Sequence, residues 1–360
     1  MPDSSQVQPV AFNCEGGLIL NRSSFMMQPG EALELENFEP DISGGYRRIN
    51  GYRKYVNQVV PVTTSSSETV LMSATFSNKI VAARGEKIFS SSSTELSLGI
   101  AANTGMTGSG SISVVSTTGF SASGTFQIDS ELFTYTGITA TTFTGITRAT
   151  SSTSAAAHAR ASVVSENWTQ RDTGRTNATK YHFERYNFDG NEKLICVDGV
   201  NAPVIFNSAM TAADVSESSV AGAKVVAAFR NHMFYAGKST SPQEVIFSEP
   251  FNEDGFASGQ GAGSIKVDDT VVALKVFRDN LFIFCSTRIF KLTGSSSSDF
   301  SVEPVTRNIG CVNSFTVQEF AGDLIFLGPD GLRTIAATAR IGDTELGTIS
   351  KNIQSVFDEN

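Results

Sequence analysis

Tryptophan, histidine and cysteine are scarce here: the 360 residues include one Trp, three His and four Cys. His158, His182 and His232 form no H-E-x-x-H or H-x-x-x-H pair, and Cys14, Cys196, Cys285 and Cys311 form no C-x-x-C pair. Neither a metal cage nor a redox dithiol is expected from such spacing, and no cofactor is expected. Cys196 and Cys285 lie within apolar strand-like runs, where a buried free thiol is the plain reading. Charge is also sparse, at 18% of residues, with a net charge of −9. Proteins that grip nucleic acid by neutralising phosphates carry the opposite sign, although an acidic wall suits a channel through which DNA slides without sticking. No apolar run reaches the ~18 residues of a membrane-spanning helix, and the polar start Met1-Pro2-Asp3-Ser4 has no signal-type apolar region. Neither signal-directed secretion nor a membrane anchor is expected.

Signs of enzymatic chemistry are equally thin. There is no G-x-S-x-G elbow, and serines gather in linkers such as Ser90–Ser93 and Ser295–Ser298. The turns Val197-Asp198-Gly199 and Pro329-Asp330-Gly331 lack the alternating oxygen ligands and distal Glu of a calcium loop. The acid pairs Asp268-Asp269 and Glu253-Asp254 read as solvated turns; a glycan hydrolase would need them to converge in a funnel. The chain is not expected to be an enzyme.

What is abundant points to strands. Hydrophobic residues make up 40%, with 26 Phe and 31 Gly, a composition of strands joined by tight turns. One phrase occurs five times: a Phe, a polar turn and an apolar strand. It is found at Phe76-Ser77-Asn78-Lys79, Phe188-Asp189-Gly190-Asn191, Phe229-Arg230-Asn231-His232, Phe277-Arg278-Asp279-Asn280 and Phe320-Ala321-Gly322-Asp323. Asn, Asp and Gly tolerate the left-handed backbone of a hairpin turn, so each copy predicts a hairpin. The last four copies begin about 41, 48 and 43 residues apart, the period of a four-stranded propeller blade. The first gap is about 112 residues, and removing a module at 101–166 restores the period. The fold class expected is all-β: a five- to six-bladed β-propeller with an inserted small β-domain.

The domains expected are an N-terminal arm with first strands at 1–55, the propeller at 56–100 and 167–340, the inserted barrel or sandwich at 101–166, and a C-terminal tail at 341–360. The stretch Gly45–Val60 is expected to feed the first blade, and Thr338–Ile341 reads as a strand. Arg47, Arg48, Arg53 and Lys54 form the densest basic stretch. As alternating strand residues they form a solvated face or a contact for DNA or an acidic neighbour. In the tail, Ser350 reads as an N-cap, and Ile353, Val356 and Phe357 share a helical face that docks on its own domain or on a neighbouring subunit.

Two sets of residues carry a family resemblance. Gly16-Gly17-Leu18, Pro29-Gly30-Glu31-Ala32-Leu33, Asn37, Gly44-Gly45-Tyr46-Arg47-Arg48 and Gly51-Tyr52 resemble the opening of tailed-bacteriophage virion proteins of the podovirus tail nozzle, tail tubular B or head-stabilisation group. Gly119 to Gly124, Ile128, Glu131, Tyr135-Thr136-Gly137, Phe143 to Arg148 and His158 resemble a small β-module of phage structural proteins. The resemblance implies a virion location after synthesis in the host cytoplasm. It also implies a homo-oligomeric ring, sixfold in that group, contacting other tail, adaptor or portal proteins and passing genomic DNA without specificity. It implies no catalytic residues. Nozzle proteins of the best-known short-tailed phages are much longer, so this chain is either a minimal version or the occupant of another ring. The function expected is a structural part of the tail or head-to-tail connector that forms the DNA exit channel. The alternative is a host-receptor or glycan-binding tail protein.

Overall fold

The computed structural model describes residues 16–41, 45–64, 68–102, 104–176, 178, 180–335 and 350–358. Strands dominate them, with short 3-10 turns and the helix Ser355–Asp358 between, so the all-β expectation holds. Cys14 and the strand expected at Thr338–Ile341 lie outside the described residues. The chain divides into two compact units: 1–52 with 287–289 and 305–360, and 53–286 with 290–304.

Four four-stranded antiparallel sheets follow one another, the last with strand ends that cross the unit division. In the first, Val70–Phe76, Lys79–Arg84 and Lys87–Ser91 run in chain order and Thr169–Asp172 completes the edge. The second holds His182–Asn187, Glu192–Val197, Val204–Phe206 and Ala212–Asp214; the third holds Val225–Phe229, His232–Ala236, Glu244–Phe247 and Gly263–Lys266. The fourth holds Val271–Phe277, Asn280–Cys285, Ile289–Thr293 and Ser301–Thr306. A three-stranded sheet, Gln318–Phe320, Asp323–Gly328 and Gly331–Thr334, belongs to the smaller unit.

The Phe-turn phrase makes the first hairpin of each sheet. Ser77 and Asn78, Arg230 and Asn231, Arg278 and Asp279, and Ala321 and Gly322 all have positive φ, the signature of a two-residue type I′ turn matched to strand twist. The second sheet differs. Asn187 pairs with Glu192, so Phe188–Asn191 is a longer loop, closed by the Asn187 side chain accepting from the Gly190 N–H at 2.8 Å.

Alternation distributes side chains to two cores at once. Leu194 and Cys196 pack with Val81, Ile88 and Phe206 between the first and second sheets. Their neighbours Ile195 and Val197 point the other way, to Val226, Met233 and Tyr235 of the third. Phe234 and Val225 then meet Ile283 and Leu292 of the fourth. Central strands are thus buried on both faces, and each large side chain contributes about 1.5–3 kcal/mol by leaving water. The opening strands of the second, third and fourth sheets lie side by side in that order.

The chain leaves the first sheet after its third strand and returns as its fourth, where Thr169 pairs with Ser90. Between them lies a seven-stranded sheet of Ser93–Glu95, Thr107–Ser113, Gly124–Ile128, Glu131–Tyr135, Gly137–Thr139, Thr142–Thr147 and Val163–Glu166. Its first strand lies ahead of Ala101 and pairs with its last, Thr94 opposite Val164. It has its own core, in which the rings of Phe126 and Phe143 are 4.7 Å apart and those of Tyr135 and Phe143 4.8 Å apart.

The stretch Gly45–Val60 does not feed the first sheet. Tyr46–Arg48 pairs instead with Phe38–Pro40, and residues 49–62 contain no strand. Within the larger unit this segment straps the inserted sheet: the Asn57 amide donates to the carbonyls of Gln127 at 3.1 Å and Val163 at 2.7 Å. The indole N–H of Trp168 donates to the Gln58 carbonyl at 3.1 Å.

Candidate functional site

A buried charged network lies inside the inserted sheet, on residues of the phrase that resembles a phage β-module. Glu131 opens one strand, Arg148 follows the end of another, and His158 lies in the connection back to Val163–Glu166. Arg148 meets Glu131 through two parallel bonds, Nε to Oε1 at 2.8 Å and Nη2 to Oε2 at 2.7 Å. Its remaining N–H groups reach the carbonyls of Ala101, Thr104 and Ala156. His158 places Nε2 2.9 Å from Glu131 and Nδ1 2.8 Å from Asp129. The side chains of Glu131, Arg148 and His158 are 0%, 4% and 1% exposed, while Asp129 is 61% exposed.

Burial alone would raise the Glu131 carboxyl. The bonds from Arg148, the Ala156 N–H and His158 outweigh it and hold the group at about 2. A carboxylate, imidazole and second carboxylate in line resemble a proton relay, yet among the described residues both ring nitrogens meet carboxylates and neither meets a hydroxyl or thiol. Every guanidinium N–H and both Glu131 oxygens are already engaged. The arrangement is a fastener: it ties the segment Ala149–His158 to the strand Glu131–Tyr135, and with it the backbone pair Ile100–His158.

A second polar junction joins the inserted sheet to the first. Lys79 Nζ lies 2.8 Å from Glu166 and 2.9 Å from Ser92 Oγ, which in turn donates to the Gly119 carbonyl at 2.6 Å. Gly119 has φ +88, and a Cβ there would lie 2.5 Å from the Asn78 carbonyl. Only glycine allows that approach.

The basic stretch does not form one strand face. Arg47 pairs with Glu39 at 2.8 Å in the smaller unit. Arg53 pairs with Glu95 in the larger one, in a segment without a strand. Arg48 and Lys54 are exposed and have no ion pair among the described residues. In the tail, the Ser350 side chain accepts no cap bond from the 3-10 turn Lys351–Ile353. Its hydroxyl accepts instead from the Leu332 N–H at 3.1 Å, and the Gln354 amide donates to the Asp330 carbonyl at 2.8 Å. Ile353 and Phe357 are half-buried and Val356 is exposed.

A group not singled out in the sequence lies on the adjacent opening strands. Glu184 of the second sheet accepts from the backbone of Ala228 in the third and faces Lys275 of the fourth. Burial pushes its carboxyl to about 7 despite that lysine, and burial together with Lys275 lowers His182 to about 4. The acid pairs part company: Glu253 binds Lys193 at 2.7 Å, Asp254 accepts from Ser216 at 2.7 Å, and Asp268 and Asp269 lie in the exposed turn before Val271. Among the described residues no His, Cys, Asp and Glu group has metal-holding geometry, and no helix is long and apolar enough to cross a membrane.

The fold and these junctions define an all-β protein of serial four-stranded sheets with an additional sheet set into the first. No protein-family model and no curated protein matches the chain. Among solved structures it is similar to the phage phi92 endosialidase, with 14% identity, a TM-score of 0.40, and coverage of 74% of this chain and 54% of that one. It is also similar to the extracellular domain of the putative one-component system BT4673 from B. thetaiotaomicron, with 11% identity, a TM-score of 0.34, and coverage of 76% and 32%. The chain therefore spans about half the length of the first and a third of the second. Likeness at this level assigns neither activity nor partner.

Proposed function

We propose that this protein is a structural component of a phage tail or head-to-tail connector, acting as a homo-oligomeric ring around the DNA exit path. The observation that carries the reading is the use of the phage-like phrase. Glu131, Arg148 and His158 are consumed in a closed network that fixes a loop, which is the behaviour of framework and not of a reacting site. The serial sheets support a propeller of five or six blades as the rigid body, with the strapped insert as the element presented to neighbours. Ring closure needs a heterologous head-to-tail interface, sixfold by resemblance to the nozzle group. Arg48 and Lys54, exposed residues of the basic stretch, would meet passing DNA or an acidic neighbour, and the tail residues Ile353, Val356 and Phe357 would meet a second subunit. Light scattering of the purified chain and mass spectrometry of purified particles test the reading: a ring and a stoichiometric virion protein are expected. A monomer that is also absent from particles would refute it.

A further inference from the structure

An open cleft of about 480 Å³ lies in the larger unit beside the third sheet, within the ~300–1,000 Å³ span of small-molecule sites. Its lining combines one aromatic ring, Phe256, with Glu217, Lys238, Glu244 and several serines including Ser264. Phe256 is half-buried and packs on Tyr235 at 5.9 Å between centroids, so the ring is fixed and one part of it lines the opening. Lys238 Nζ donates to the Ser219 carbonyl, and Glu217 accepts from the Ser219 N–H at 2.8 Å, which anchors both chains in the wall. Glu244 is half-buried, and its carboxylate has no hydrogen-bond or ion-pair partner among the described residues.

Two carboxylates against one ammonium make the cleft net negative, which disfavours phosphates, sulfates and acidic sugars. An aromatic wall beside carboxylate and hydroxyl acceptors matches a molecule with one C–H face and a rim of O–H donors. We propose that this cleft binds a neutral saccharide, with its C–H face on Phe256 and adjacent hydroxyls donating to Glu244. The inference goes beyond the structural role proposed above and does not depend on it, since a ring protein and a monomer would carry the same cleft.

Saturation-transfer NMR and calorimetry on the full chain with maltose and N,N′-diacetylchitobiose, and with 3′-sialyllactose as the acidic comparison, test it. Binding of at least one neutral sugar is expected. Phe256→Ala and Glu244→Gln are each expected to weaken it about tenfold or more, equivalent to ~1.4 kcal/mol. Ser264→Phe, on an exposed edge-strand position, is expected to block the cleft with the thermal midpoint unchanged. No binding by either neutral sugar, binding indifferent to all three variants, or equal binding of sialyllactose would overturn the proposal.

Discussion

Glu131 is a carboxylate taken fully out of water, and its environment shows what single residues do in this protein. Removing one member of the Glu131–Arg148 pair strands the other charge, so Arg148→Met is expected to cost about 3–5 kcal/mol, whereas replacing both partners by apolar residues is expected to cost less. Urea unfolding of the two variants, followed by circular dichroism, checks the order. The acid limb has a defined sign. Glu131 titrates lower in the folded chain than its ordinary value of 4.5, so its stabilisation is complete above that value and is lost as pH falls towards about 2. Glu131→Gln is expected to flatten that loss relative to wild type in pH-dependent denaturation. The motif residues were visible in the sequence; their roles were not, because the partners Ala101, Thr104 and Ala156 contribute backbone carbonyls or amides, and backbone groups leave no sequence signal.

Hairpins are where sequence and structure agree most closely. Asn78 and Asn231 hold φ of +58 and +63, a region that costs an ordinary L-residue roughly 1–2 kcal/mol. Asn231→Ala is therefore expected to destabilise by about 1 kcal/mol and Asn231→Gly to be near neutral, as read from thermal midpoints. The loop at Phe188–Asn191 departs from its siblings because Asp189 and Asn187 both turn side-chain oxygens to backbone N–H groups there, at 3.0 and 2.8 Å. That local competition was hidden behind the repeated Phe. The stretch Gly45–Val60 departs from its expected role in the first blade for a related reason: its Tyr and Val density resembles a strand, but the Asn57 and Trp168 bonds hold its second half as a strap. Asn57→Ala is expected to lower the denaturant midpoint of Trp168 fluorescence, an assignable signal because the chain has a single tryptophan. Arg53 and Lys54 lie in the same segment, which is why no continuous basic strand face exists.

At the scale of the whole molecule, the inserted sheet is joined where the Glu166 N–H donates to the Ser92 carbonyl at 2.8 Å. Its entry and exit are thus adjacent, so replacing 93–165 by a short Gly/Ser linker is expected to leave a chain with strand-type circular dichroism and a cooperative thermal transition. Failure to fold would show that the insert and the strap are integral to the first sheet. Titration couples three sheets at once. Glu184 binds its proton more tightly when folded, so it costs stability as pH rises from 4.5 towards about 7. His182 binds its proton less tightly, so it costs stability as pH falls from 6.5 towards about 4. Glu184→Gln is expected to remove the first dependence and His182→Gln the second, each measurable as a change in slope of midpoint against pH.

Turn chemistry and two-residue alternation are properties of neighbouring residues, and so the sequence by itself determined the all-β class and the five hairpins. The meeting of Glu184 with Lys275, the closed network around Glu131, the strap and the cleft beside Phe256 join residues far apart in the chain. Only tertiary packing decided these, because it sets which backbone groups and charges leave water together, and local sequence contains no record of a partner supplied by another sheet.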